Sequence, residues 1–287
     1  MNNLYKNNKN NKIYELKMKK MLYKYNKIYA LNNIDSEKLD KNSDFLIGSI
    51  SKLYTIIVLL ILNKNGIIDF KKKLVYYLKG TINSNLYNIK IIDIVNHVSG
   101  MKAKSDSKKK FCVFKYESST DVYNTYKDEN LITLEKEKYS YSNIGYMILG
   151  VLIEKVTGKN YKDVFDELIF KPLSLENTNF NETKITLYNS KEEKLNESEK
   201  NERTYACNAG GLKSSINDFI KFAQFPILLN TKCLNILKKI YIFSENTDFY
   251  TIQHEGAIKG GNAFLLINYN KDWTFNSSFF ECSTIVN

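Results

Sequence analysis

The chain has 287 residues, 43% hydrophobic and 25% charged, with only 2 Pro and 12 Gly; that mixture excludes a low-complexity or linker-rich protein and supplies a sizeable core. The formal net charge is +11, carried almost wholly by Lys. Arg, the preferred fork for phosphate and guanine, is nearly absent, so the charge reads as solvated Lys faces and no nucleic-acid partner is expected.

Residues 1–12 are Asn- and Lys-rich and are read as a disordered basic tail lacking the apolar region of a signal peptide. Residues 13–287 are read as one domain, with a sheet part at about 20–45 and 246–287 and a helical part at about 46–245. Met21 to Ala30 is aromatic-rich and partly alternating, which predicts one strand. Asn32 to Ser43 is polar and reads as a loop. Ser51 to Asn63 is apolar all round in its second half, which predicts a buried central helix ended by Asn65-Gly66. Its longest apolar run, Ile56 to Leu62, is too short to span a bilayer. No transmembrane segment is expected, and the location defaults to intracellular.

Further helices are predicted over Ile91–Val98, Ile144–Val156 and Tyr161–Phe170, closed in turn by Ser99-Gly100, Gly158 and Pro172. Residues 102–138 are charged and without a clear pattern. Glu182 to Arg203 is almost all polar and reads as a surface excursion. Ser215-Ile-Asn-Asp218 has the form of a capping box with Asp in place of Glu and should open a helix over Phe219–Phe225. After Asn246 the pattern changes: Phe249–Gln253, Ala263–Tyr269 and Trp273–Phe280 read as consecutive strands. Strands at both ends and helices between them predict an α+β fold, an antiparallel sheet built from the two chain ends with an inserted helical region.

Ser49-Ile-Ser-Lys52 stands where the central helix begins. Residues at i and i+3 share a helix face, so the hydroxyl of Ser49 and the amine of Lys52 can meet. A serine is a poor nucleophile until a base takes its proton, and a desolvated lysine can be that base. Tyr141-Ser-Asn143 precedes another buried helix; it can aim a phenol and an amide into a cleft, or it can be an N-cap Asn beside a core Tyr. His254-Glu-Gly256 follows a strand-like segment, and Gly256 would let a substrate lie close to an edge strand. Cys112, Cys207, Cys233 and Cys282 are far apart and only His97 and His254 represent histidine, so neither a metal site nor a cofactor is indicated.

Ser49-x-x-Lys52, Ile92-Asp-Ile-Val-Asn-His97-Val-Ser-Gly100, Tyr141-Ser-Asn143, Asn208-Ala-Gly-Gly-Leu-Lys-Ser-Ser215 and His254-Glu-Gly256 occur in this order. Together they resemble the serine β-lactamase-related family, which groups class C β-lactamases, D-Ala-D-Ala carboxypeptidases and related esterases; S-x-x-K is one of its marks. The segment Asp121–Leu131 is most similar to the mitochondrial serine β-lactamase-like protein, which makes a mitochondrial location an expectation of the resemblance. The resemblance implies a β-lactamase/transpeptidase-like fold and a serine hydrolase acting through an acyl-enzyme on an ester, amide or peptide bond of a small molecule or peptide. It implies Ser49 as nucleophile, with Lys52 and Tyr141 sharing the general-base work. Asn143 would orient the substrate carbonyl and Lys52, and the N–H groups of Ser49 and Ala257 would form the oxyanion hole. His254 stands where lactamases carry the Lys of a K-T-G triplet; a His there is more typical of peptidase-like and esterase-like members. His97 is expected to be a packed or hydrogen-bonded histidine outside the catalytic set.

Glu255 departs from the small Thr or Ser usual in the last motif, and a carboxylate there would repel an anionic substrate. The resemblance also implies terminal helices over the sheet that this sequence does not supply, so a homo-oligomer covering the exposed face is an expectation. These two features support an alternative reading, a catalytically weak or inactive scaffold or a self-assembling protein with this fold.

Overall fold

A computed structural model of the chain describes residues 20–24, 27–31, 39–104, 118–133, 138–181, 183–188, 193–196, 207–224, 242–245, 249–258, 260–270 and 275–283. The basic tail at 1–12, most of the polar loop after Asn32, most of the excursion at 182–203 and Trp273 lie outside the described residues.

The main sheet has six strands: β1 (Lys20–Lys24), β2 (Lys27–Leu31), β5 (Ile242–Glu245), β6 (Phe249–Ile258), β7 (Gly261–Asn270) and β8 (Phe275–Ser283). Their order is β2-β1-β8-β7-β6-β5, every neighbour antiparallel. Strand β8 thus pairs with β1, and the two ends of the sequence close one sheet as expected. Two details differ. The single strand predicted over Met21–Ala30 is a hairpin, with Lys24 registered against Lys27; alternation runs on across the bend with no Pro or Gly to mark it. Strand β5 precedes the predicted first C-terminal strand. A two-stranded ladder, β3 (Phe45–Leu46) with β4 (Lys213–Ser214), ties the two halves of the helical region together.

Among the helices, α1 (Ser51–Lys64) is the centre of the core, with Leu53, Ile56, Ile57, Val58 and Leu59 fully buried. A helix apolar on every side has no solvent face, so it must be wrapped on all of them. Short helices α2 (Val75–Leu78), α3 (Ile91–Val95) and α4 (Ser119–Asn124) lead to α5 (Asn143–Thr157), which is nearly as buried. The predicted helix at Tyr161–Phe170 is α6 (Tyr161–Phe165), continuing as a π-helical turn over Asp166–Phe170. One turn, α7 (Cys207–Gly210), and α8 (Ile216–Ala223) complete the region. Ser215 Oγ accepts from the Asp218 N–H, so Ser215 is the N-cap as expected, but the box is not closed: Asp218 Oδ2 accepts from the Asn177 N–H and the Thr178 hydroxyl instead of returning a bond to Ser215, and the helix opens three residues before the predicted start. Tyr54 of α1 stacks on Phe222 of α8, ring centroids 3.8 Å apart.

In β7 the buried residues alternate: Gly261, Ala263, Leu265 and Ile267 face the helices while Asn262, Phe264 and Leu266 are half-exposed. This two-residue period is what sets one face of a strand against a core. No helix among the described residues is long and apolar enough to cross a membrane.

Candidate active site

Ser49 lies in a 3₁₀ turn, Gly48–Ile50, that runs straight into α1. The turn needs a glycine: Gly48 has φ +50°, and a Cβ there would stand 2.7 Å from the Ala257 nitrogen. The opposing strand needs one too. A Cβ on Gly256 would run into the Ile47 carbonyl oxygen and lie 3.1 Å from the Ser49 nitrogen. Two glycines, one on each side, let the Ser49 turn and β6 touch backbone to backbone. This contact brings the amide nitrogens of Ser49 and Ala257 to the same end of the cleft.

One helical turn on, Lys52 is fully buried. Its Nζ lies 3.1 Å from Ser49 Oγ, 2.7 Å from Asn143 Oδ1 and 2.6 Å from the Ala209 carbonyl oxygen. Burial pushes the amine well below the ordinary lysine range, because a charge deprived of water is costly. The three contacts are chemically unequal. The two carbonyl oxygens only accept, so the neutral amine spends both N–H bonds on them and its lone pair is left for the Ser49 hydroxyl.

Tyr141 completes the group. Its hydroxyl donates to Ser49 Oγ at 2.6 Å. Burial pushes this phenol up to about 12, partly offset by the hydrogen bond to Ser49, so it is protonated at neutral pH. The ring is held from behind by His97, stacked at 4.5 Å and 27°. His97 itself is buried at φ +56°, and its Nδ1 accepts from the Ser142 N–H at 3.0 Å. Burial is the main cause that pushes it down to about 3, with the nearby Lys52 and His254 adding to it.

The helix cap at α5 settles the two readings of the Tyr-x-Asn segment. Ser142, not Asn143, is the N-cap, its Oγ accepting from the Gly145 N–H at 2.9 Å. Asn143 is the first helical residue, which frees its amide to hold Lys52.

His254, Glu255, Gly256 and Ala257 line the same cleft of about 660 Å³ as Ser49, Tyr141 and Asn143. The half-buried His254 has Nδ1 2.6 Å from the Glu255 carbonyl oxygen. Burial and then Lys52 push it down to about 4. Every sequence-predicted site residue therefore borders this cleft except Lys52, which lies beneath Ser49. Three further wall residues, Asn262, Ala263 and Phe264, were not singled out as site residues from the sequence; for Asn262 and Phe264, alternation with the buried residues of β7 was the available signal. Neither was the Ala209 carbonyl, a backbone group presented by the turn of α7. Thr55 Oγ1 donates to the Asn208 carbonyl and Asn208 Nδ2 donates to the Tyr146 carbonyl, which fixes that turn between α1 and α5. No cluster of metal-ligating side chains occurs among the described residues.

Residues 21–242 match the family described as Beta-lactamase. The chain belongs to that family. Among curated relatives, N-acetylmuramyl-L-alanine amidase of Bacillus subtilis (strain 168) is 29% identical over 181 residues, which is 57% of this chain and 40% of the relative. Penicillin-binding protein 4* of the same bacterium is 29% identical over 167 residues, 55% of this chain and 35% of the relative. The matched region thus spans less than half the length of these curated relatives. Among solved structures, a beta-lactamase/D-alanine carboxypeptidase from Yersinia pestis superposes with a TM-score of 0.71 at 17% identity, over 95% of this chain and 89% of that one. A D-stereospecific amidohydrolase from Streptomyces sp. superposes with a TM-score of 0.66 at 19% identity, over 93% of this chain and 88% of that one. At such identities the likeness is one of fold, and the fold is the β-lactamase/transpeptidase fold.

Proposed function

We propose that this Beta-lactamase family member is a serine hydrolase that forms an acyl-enzyme on Ser49 and cleaves an ester, amide or peptide bond of a small molecule or peptide. The observation that carries the reading is the proton path Tyr141 O–H to Ser49 O–H to Lys52 N, with separations of 2.6 and 3.1 Å. Ser49 Oγ adds to the substrate carbonyl carbon as its proton passes to the Lys52 lone pair. The carbonyl oxygen becomes an oxyanion and accepts from the N–H groups of Ser49 and Ala257. Collapse breaks the bond to the leaving nitrogen or oxygen; the Tyr141 hydroxyl supplies its proton and is reprotonated from Lys52. Water, deprotonated by the same base, then releases the acid and restores the serine. Asn143 keeps the Lys52 amine aimed throughout. In this scheme Lys52 is the base and Tyr141 the relay, because burial moves their affinities for protons in opposite directions.

Fluorophosphonate labelling followed by intact-mass measurement tests the reading. One covalent adduct is expected on the wild-type protein and none on Ser49→Ala. A folded protein that takes no label and turns over no activated ester would instead be the inactive scaffold.

A further inference from the structure

The charge in this cleft is opposite in sign to the charge of the chain. On β6, Gly256 faces the nucleophile turn, while its neighbours Glu255 and Ala257 are exposed. Glu255 is registered against Phe264 and Ala257 against Asn262, and all four line the cleft over Ser49. Directly opposed residues on one face of an antiparallel pair lie within contact range, so Glu255 and Phe264 are cross-strand neighbours on the face that lines the cleft. The Glu255 carboxylate has no cationic partner among the described residues.

The other titratable groups of the lining are Tyr141 and His254. The first is held up at about 12 and the second down at about 4, so both are neutral at pH 7. Lys52 lies beneath the serine, where burial favours its uncharged amine. Glu255 is the one acidic side chain among the described lining residues, on a chain whose formal net charge is +11. A field of that overall sign would draw anions towards the cleft; this carboxylate opposes them at its mouth.

We propose that Glu255 and Phe264 form a specificity subsite for an organic ammonium group, so that the favoured acyl donors are esters or amides of amine-bearing acids and carboxylate-bearing donors are disfavoured. The pair supplies both halves of such recognition: an anion for the cation, and an aromatic ring for the carbon chain that carries it, whose face also attracts a cation. The proposal rests on the serine-hydrolase reading above.

The test uses three 4-nitrophenyl esters of similar length: 4-(trimethylammonio)butyrate, pentanoate and 4-sulfobutyrate. They are assayed on wild type, Glu255→Gln and Glu255→Lys, with fluorophosphonate labelling of each protein in parallel. Wild type is expected to favour the cationic over the anionic ester in kcat/KM by about tenfold, the scale of a partly screened ion pair gained and a repulsion lost. The ratio should fall towards one in Glu255→Gln, invert in Glu255→Lys, and shrink in wild type at high salt. A labelled wild type that is blind to charge, or a preference that survives in both variants, overturns the subsite and leaves the hydrolase reading standing. A wild type that neither labels nor turns over any ester overturns both.

Discussion

The Tyr141 hydroxyl donates to Ser49 Oγ across 2.6 Å while His97 lies flat against the back of the same ring. A phenol so placed is already aimed at the oxygen that, in the proposed scheme, loses and regains a proton. Removing only that hydroxyl keeps the stack intact. Tyr141→Phe is therefore expected to slow acylation by about 10²-fold, at the lower end of what positioned proton transfer contributes. The rate of fluorophosphonate labelling measures this, and a variant that labels at the wild-type rate would remove Tyr141 from the proton path.

Lys52→Met keeps the volume of the side chain and discards the base. It also leaves Asn143 Oδ1 and the Ala209 carbonyl without the amine they bind. Labelling should fall by 10³-fold or more, a larger loss than for Tyr141→Phe, because the serine proton then has no acceptor. The unpaired carbonyls cost roughly 1–3 kcal/mol, set against the relief of no longer burying an amine, so the urea midpoint should move far less than the rate. Equal losses for the two variants would contradict the division into base and relay.

Much of this site was legible because its chemistry is local. Ser49 and Lys52 are one helical turn apart, so spacing alone puts them together. Tyr141 and Asn143 are two residues apart at a helix start, and only the question of which residue caps that helix was open; Ser142 answers it. What was not legible depends on long-range register or on backbone groups. Alternation along β7 marks the face that Phe264 takes, but its pairing with Glu255 across β6 and β7 is a register that no local pattern encodes. The Ala209 oxygen carries no side-chain signature, and its reach to Lys52 spans 157 positions. The β1–β2 hairpin was read as one strand because its turn lacks the usual Gly or Pro. The six-stranded sheet was anticipated in outline because its outer segments show strand periodicity at both ends of the sequence.

Acid should weaken the fold through His97. Its folded value of about 3 lies below the ordinary 6.5, so between those limits the unfolded chain binds the additional proton. Stability from this site is fully present above pH 6.5 and is lost as pH falls towards 3. At about 1.4 kcal/mol per unit, the whole shift corresponds to roughly 5 kcal/mol. His97→Asn removes the titration, retains an acceptor for the Ser142 N–H, and suits the positive φ, which Asn tolerates better than most residues. Between pH 7 and pH 4 the urea midpoint of wild type should drop markedly more than that of His97→Asn. Parallel drops would assign the acid sensitivity to other groups, His254 first among them.

The contact between Gly256 and the Ser49 turn admits no side chain at all. In Gly256→Ala the new methyl meets the Ile47 carbonyl, and both clashing groups are backbone or fixed to it. A rotamer change cannot relieve that overlap, so β6 must move away from Ser49. The movement carries the Ala257 N–H with it and opens the gap between the two proposed oxyanion donors. Overpacking of this kind costs roughly 1–3 kcal/mol, while loss of one oxyanion donor costs about 10²–10³ in rate. Ester turnover by Gly256→Ala should therefore fall by about 10²-fold or more at a temperature where circular dichroism still reports a folded protein. Gly48→Ala closes the same contact from the opposite side, with the added strain of a side chain at φ +50°, and is expected to show the same loss. A folded Gly256→Ala that turns over esters at the wild-type rate would mean that the Ala257 N–H is not an oxyanion donor.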